Sequence, residues 1–170
     1  MANQYEVEEV KSNSDLASIS ISEEPEKVLI INEKHYKFPE NPTRVEFTLG
    51  VYPGYNHDNS TYYGSKHNET SFYRAVMKYL ESNADKFGMY IPFVVIPSRV
   101  LYKTEWGCPV EGEETYTFSA VCNPNFNDDN DKWLLAALLC ADGLRQRFDQ
   151  NTVTVTVFGS NGVNIFYLKK

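Results

Sequence analysis

TVTVTVFGSNGVNIFYL, residues 152–168, is the segment from which the fold is read. Residues 152–157 alternate threonine with valine and run on into Phe158, residues 163–168 form a second β-prone run, and Asn161-Gly162 between them is a dipeptide that accepts the positive φ values of a type I′ turn. The segment is therefore a β-hairpin, and centring it on Asn161-Gly162 pairs Val157 with Phe166 and Val155 with Leu168. Working towards the N-terminus, residues 132–148 have the length and composition of a helix, and from Trp133 to Ala141 no position is polar. A helix on one face of one sheet needs a single apolar stripe about 100° wide, so this one is buried on more than one side. Self-association through it or the adjoining sheet edge, in a homodimer or higher oligomer, is the expected cover.

The polar loop 123–131 that feeds this helix contains the run Asn127-Asp128-Asp129-Asn130-Asp131. It lacks the turn glycine and the twelfth-position glutamate of a calcium loop, so it reads as an N-cap cluster. Before it, residues 115–122 alternate as a strand, paired across the turn 107–114 with a strand that starts at residues 93–96 and runs on to Trp106 with a bulge or break. Residues 70–83 carry Phe72, Val76, Tyr79 and Leu80 at helical spacing, with Asn68 or Thr70 as the cap. In residues 44–52, Val45, Phe47, Leu49 and Val51 fall on one face of a strand. Residues 28–31 and 35–38 form a short hairpin around Asn32-Glu33-Lys34, ended by Pro39 and Pro42.

The middle of this order is βαββαβ, and over residues 44–168 it resembles a ferredoxin-like sandwich, an antiparallel sheet with two helices on one face. Here the sandwich is extended by an N-terminal and a C-terminal hairpin. The resemblance is one of element order and brings no functional residue with it.

Residues 27–170 read as a single α+β domain, and residues 1–26 as a mobile acidic arm, too polar to offset the entropy of ordering. Within the arm Ser18-Ile19-Ser20-Ile21-Ser22 alternates like a strand and can pair with a sheet edge. The first 30 residues carry seven acids against Lys11 and Lys27, a balance of −5, which leaves −2 of the net −7 for the rest. The body lacks the basic face that duplex nucleic acid requires. The chain has neither an apolar run near the roughly 20 residues that span a bilayer nor a signal-peptide pattern at its start, so no membrane association and a cytoplasmic location are expected. Three cysteines, Cys108, Cys122 and Cys140, without a CxxC pair indicate free thiols rather than a disulfide framework or zinc knuckle.

Chemistry concentrates in residues 52–69, YPGYNHDNSTYYGSKHNE, between a strand end and a helix start. Tyr52, Tyr55, Tyr62 and Tyr63 offer faces for a base or sugar, and Lys66 with Arg74 can neutralise an anion. Gly54 and Gly64 match neither a P-loop nor a dinucleotide fingerprint. The leading reading is a non-catalytic binding protein that takes a small anionic or nucleotide-like ligand, or a partner protein, through this loop, with no cofactor and no metal. The alternative is a small hydrolase or lyase on a phosphorylated or glycosidic molecule, with catalytic His57 and His67 as acid and base. A third reading is an inhibitor or adaptor encoded by a mobile element.

Overall fold

A computed structural model describes residues 18–22, 27–53, 55–56, 61–62 and 65–169. Strands β1 (Ile19–Ser22), β2 (Val28–Ile31) and β3 (Lys34–Lys37) make one antiparallel sheet. They are followed by β4 (Arg44–Gly50), the two-residue strands β5 (Tyr55–Asn56) and β6 (Thr61–Tyr62), and helix α1 (Glu69–Phe87). Strands β7 (Val94–Val100) and β8 (Glu113–Val121), helix α2 (Asn130–Arg147) and the hairpin β9 (Thr152–Gly159) and β10 (Gly162–Lys169) complete the chain.

The main sheet is antiparallel, in the order β10-β9-β4-β8-β7. Its four strands β9-β4-β8-β7 carry the strand order of the ferredoxin-like sandwich, and β10 extends the edge. On the helix side, Val45, Phe47 and Leu49 of β4, Phe118 and Ala120 of β8, and Val153, Val155 and Val157 of β9 are buried. Phe47 stacks on Phe118 at 4.8 Å between centroids, so the centre of the core is aromatic. Helix α1 is capped by the Asn68 side chain, which accepts from the Ser71 N–H, and ends at Gly88 in the left-handed conformation (φ 62°). Asp129 caps α2, as the acidic run requires, by accepting from the N–H groups of Asp131 and Lys132.

Three expectations are corrected. The strand after residue 93 stops at Val100, where its pairing with Glu113 ends; residues Thr104–Trp106 form a 3₁₀ turn closed by Gly107 at φ 89°. The C-terminal hairpin pairs Val157 with Asn164, Val155 with Phe166 and Val153 with Leu168. Its two-residue loop is Ser160-Asn161, and Gly162 (φ 109°) is the left-handed residue. Tertiary contacts select this register: the Ser160 N–H donates to the Glu40 carbonyl at 2.7 Å, and Asn161 Oδ1 accepts from the Glu40 N–H at 3.2 Å. Because the shift is by two residues, the faces are unchanged.

The third correction concerns α2. Strand β1 of the N-terminal sheet contacts this helix, and the sheet joins the same core through Leu29 and Ile31, both fully buried, and through the half-buried Ile19 and Ile21. Burying each of the first two contributes about 1.5–3 kcal/mol. Leu135 and Leu139 are half-buried, so part of this helix's apolar circumference is covered within the chain. The alternating serines and isoleucines of the arm are strand β1, paired with β2. The β2–β3 turn is Asn32-Glu33, both left-handed (φ 47° and 65°), a type I′ geometry reached without glycine.

Candidate functional site

Loop 52–69 starts and ends at one residue. The Val51 N–H donates to the Glu114 carbonyl at 3.1 Å, and the Val51 carbonyl accepts from the His67 N–H at 2.9 Å. Between these anchors β5 and β6 bring Tyr55 and Tyr62 into register as backbone partners. His57 and Tyr63 lie outside the described residues.

The base of the loop is where ionisable groups converge. Lys66 pairs with the Glu114 carboxylate, whose other oxygen lies 3.7 Å from Arg99, the cross-strand partner of Glu114. The Glu114 hydrogen bond raises the Lys66 pKa, and the same bond holds Glu114 below the usual carboxylate range. Two residues along β8, Tyr116 is buried on the helix side and stacks on Phe72 at 4.3 Å. Tyr73 meets Tyr116 edge to face at 5.5 Å. Burial, then the neighbouring Glu69 carboxylate, raises both phenols, and Glu69 also hydrogen-bonds Tyr73. Tyr52, half-buried, is within electrostatic reach of Lys66. The loop base, the start of α1 and the ends of β7 and β8 thus gather two carboxylates, two cations and three phenols, and the titration of Lys66, Tyr73, Glu114 and Tyr116 is displaced.

Of the residues expected from the sequence, Tyr52 and Lys66 belong to this cluster. Arg74 is exposed on α1, and Lys66 is committed to Glu114, so the two do not form an anion clamp. His67 is packed edge-on against Phe148 at 5.1 Å, with Nε2 buried and without a partner among the described residues. Burial lowers its pKa, which suits a packed neutral ring better than a proton shuttle. Glu69, Tyr73, Arg99, Glu114 and Tyr116 are members that sequence reasoning missed. The signal available was Glu69 and Tyr73 four apart at a helix start, beside a loop already singled out.

A concavity of ≈ 550 Å³ lies away from this cluster, on the open face of the main sheet among Thr48, Thr115, Thr117, Thr154 and Thr156. Its central hydroxyls satisfy one another, with Ser98 2.8 Å from both Thr115 and Thr117, and Thr48 3.3 Å from Thr117. Among the described residues no group of three His, Cys, Asp or Glu side chains converges as a metal site.

The fold and this site define a mixed α+β protein of ferredoxin-like strand order with an ionisable, aromatic cluster at a helix start. The SAM lyase family model matches residues 42–169, which includes the whole main sheet, both helices and the cluster, and the chain belongs to that family. Among solved structures it is similar to a phage SAM lyase in the apo state, at 12% identity and TM-score 0.50, over 75% of this chain and 88% of that one. A phage SAM lyase in complex with S-methyl-5′-thioadenosine is similar at 11% identity and TM-score 0.46, over 79% and 95%. No curated protein matches the chain. Membership supports a small-molecule role and favours the lyase alternative over a non-catalytic binder. No helix among the described residues is long and apolar enough to cross a membrane.

Proposed function

We propose that the chain cleaves S-adenosylmethionine as a lyase at the cluster around Glu69, Tyr73, Glu114 and Tyr116. The observation that carries this reading is the family match, which spans every element that builds the cluster. In such a cleavage the carbon–sulfur bond to the amino-acid arm breaks and its electron pair stays on sulfur. The sulfonium charge is extinguished and neutral S-methyl-5′-thioadenosine leaves. The remaining fragment either loses a proton from the neighbouring carbon to give an alkene, or is closed by its own carboxylate into a lactone; water enters neither route.

The cluster suits this substrate. The half-buried Tyr73, backed by Tyr116, offers a π-face to adenine or to the sulfonium, for which aromatic faces are attractive. Glu69, held by Tyr73, takes the proton in an elimination or holds the substrate ammonium in a cyclisation. Lys66 and Arg99, both paired with Glu114, can take a substrate carboxylate only by exchanging that partner. The test is incubation of the pure protein with S-adenosylmethionine, followed by mass spectrometry and NMR of the products. Thioadenosine with alkene or lactone supports the reading and assigns the route. Binding without turnover would restore the non-catalytic reading, and neither binding nor turnover would remove both.

The proposal keeps self-association but moves it. Ile96 and Val94 on β7, and Val163, Ile165 and Tyr167 on β10, are exposed on the open face of the main sheet, at its two edges. Paired hydroxyls between these strips lower the cost of drying that face, so a second copy is the fitting cover. Light scattering of wild type and Ile165→Glu tests it: a wild-type monomer at micromolar concentration ends this part of the proposal. A soluble, cytoplasmic location follows from the substrate.

A further inference from the structure

The deepest polar network of the molecule lies outside the cluster. Asp142 and Arg145, one turn apart on α2, are both fully buried and paired at 2.8 Å, with Gln146 Nε2 donating to the second Asp142 oxygen at 3.1 Å. A buried ion pair is weak as a source of net stability, because the desolvation of both charges offsets their attraction. Its geometry points elsewhere. Arg145 Nη1 donates to the Gln150 carbonyl at 3.2 Å and the Gln150 N–H donates to the Arg145 carbonyl at 2.8 Å, so Gln150 is held from both sides of its backbone. Asp149 before it takes the left-handed conformation (φ 53°), uncommon outside glycine, which turns the chain back under the helix.

Gln150, held in this way just before β9, reaches the neighbouring end of β4, the strand β9 pairs with. Its Oε1 accepts from the Gly50 N–H at 3.1 Å, and its Nε2 donates to the Tyr52 carbonyl at 2.7 Å and to the Phe148 carbonyl at 3.0 Å. Every hydrogen-bonding valence of the amide nitrogen is used, and one amide bridges the last residue of β4 and the first residue of the loop. Gly50 is where it is because of this approach: a Cβ there would stand 2.8 Å from Gln150 Oε1 and 3.0 Å from Glu113 Oε1. At the loop base the Val51 contacts are backbone to backbone, and Gln150 adds a side-chain contact at the start of the loop, as the Lys66–Glu114 pair does at its end.

We infer that Gln150 is a positioning residue for the proposed cleavage: oriented by the Asp142–Arg145 pair, it sets where Tyr52 stands beside Lys66 and the start of α1. The inference rests on the lyase reading, and its test separates the two. Gln150→Glu keeps the acceptor for the Gly50 N–H and removes the donor to Tyr52; Gly50→Ala displaces the amide without changing it. Hydrogen–deuterium exchange without substrate should show the amides of residues 50–52 and 65–67 exchanging about tenfold faster in both variants, while both remain folded. In the turnover assay KM for S-adenosylmethionine should rise about five- to tenfold with kcat within about threefold, the signature of lost positioning rather than lost chemistry. Wild-type exchange at residues 50–52 and 65–67 of Gln150→Glu, or an unchanged KM in an active Gln150→Glu, overturns the inference. A wild-type protein that neither cleaves nor binds overturns the reading instead, whatever the exchange shows.

Discussion

Tyr73 of α1 and Tyr116 of β8 meet edge to face at 5.5 Å, and the Glu69 carboxylate acts on both. Glu69 is exposed and one helical turn from Tyr73, so its removal should spare the fold and strike the chemistry. Glu69→Gln is expected to lower kcat roughly 100-fold or more, with the melting temperature unchanged within a degree or two. Tyr73→Phe, which loses one hydrogen bond, should cost about fivefold. Full turnover by Glu69→Gln would move the reaction away from this helix start.

His67 gives stability a dependence on pH whose sign is set by burial. Its folded pKa lies below the ordinary 6.5, so the unfolded chain binds the proton more readily. The contribution is complete above pH 6.5 and is lost as pH falls through the folded value. His67→Phe should therefore show a smaller fall in melting temperature between pH 7 and pH 5 than wild type. Parallel curves for the two proteins would mean that the ring protonates without leaving its slot against Phe148.

The crossing of the two helices is set by a glycine. A Cβ on Gly143 of α2 would lie 1.7 Å from the Tyr79 hydroxyl of α1, which donates to the Leu139 carbonyl at 3.4 Å. Gly143→Ala should destabilise by about 1–3 kcal/mol through overpacking. Urea unfolding of Gly143→Ala, Tyr79→Leu and the double variant checks it: the double should lose less than the two singles together, and strict additivity would place the strain elsewhere.

Cover of α2 by the N-terminal sheet is testable at Leu29, which is fully buried against the core. Leu29→Ala should cost about 2–5 kcal/mol. Ile21→Glu should part the sheet from the helix and produce binding of a hydrophobic dye in a still-folded protein. A dye-silent Ile21→Glu of wild-type stability would mean that β1 contributes nothing to the cover.

What the sequence determined by itself is local and periodic. The threonine–valine alternation of residues 152–157, the helical spacing of Phe72, Val76 and Leu80, and the caps Asn68 and Asp129 report period and terminus directly, because each depends only on neighbours along the chain. The βαββαβ order follows from them, and so does the choice of loop 52–69, where Tyr52 and Lys66 do belong to the cluster. Tertiary structure alone decided the rest. Glu114 and Tyr116 reach Lys66 and Tyr73 only because β8 pairs with β4 and β7, and Arg99 only because β7 pairs with β8. The hairpin register was shifted by contacts of Ser160 and Asn161 with Glu40, some 120 residues away. The apolar circumference of α2 announced that something covers it, and hydrophobic burial has no direction by which sequence could say whether that cover is a second copy or the chain's own first strands.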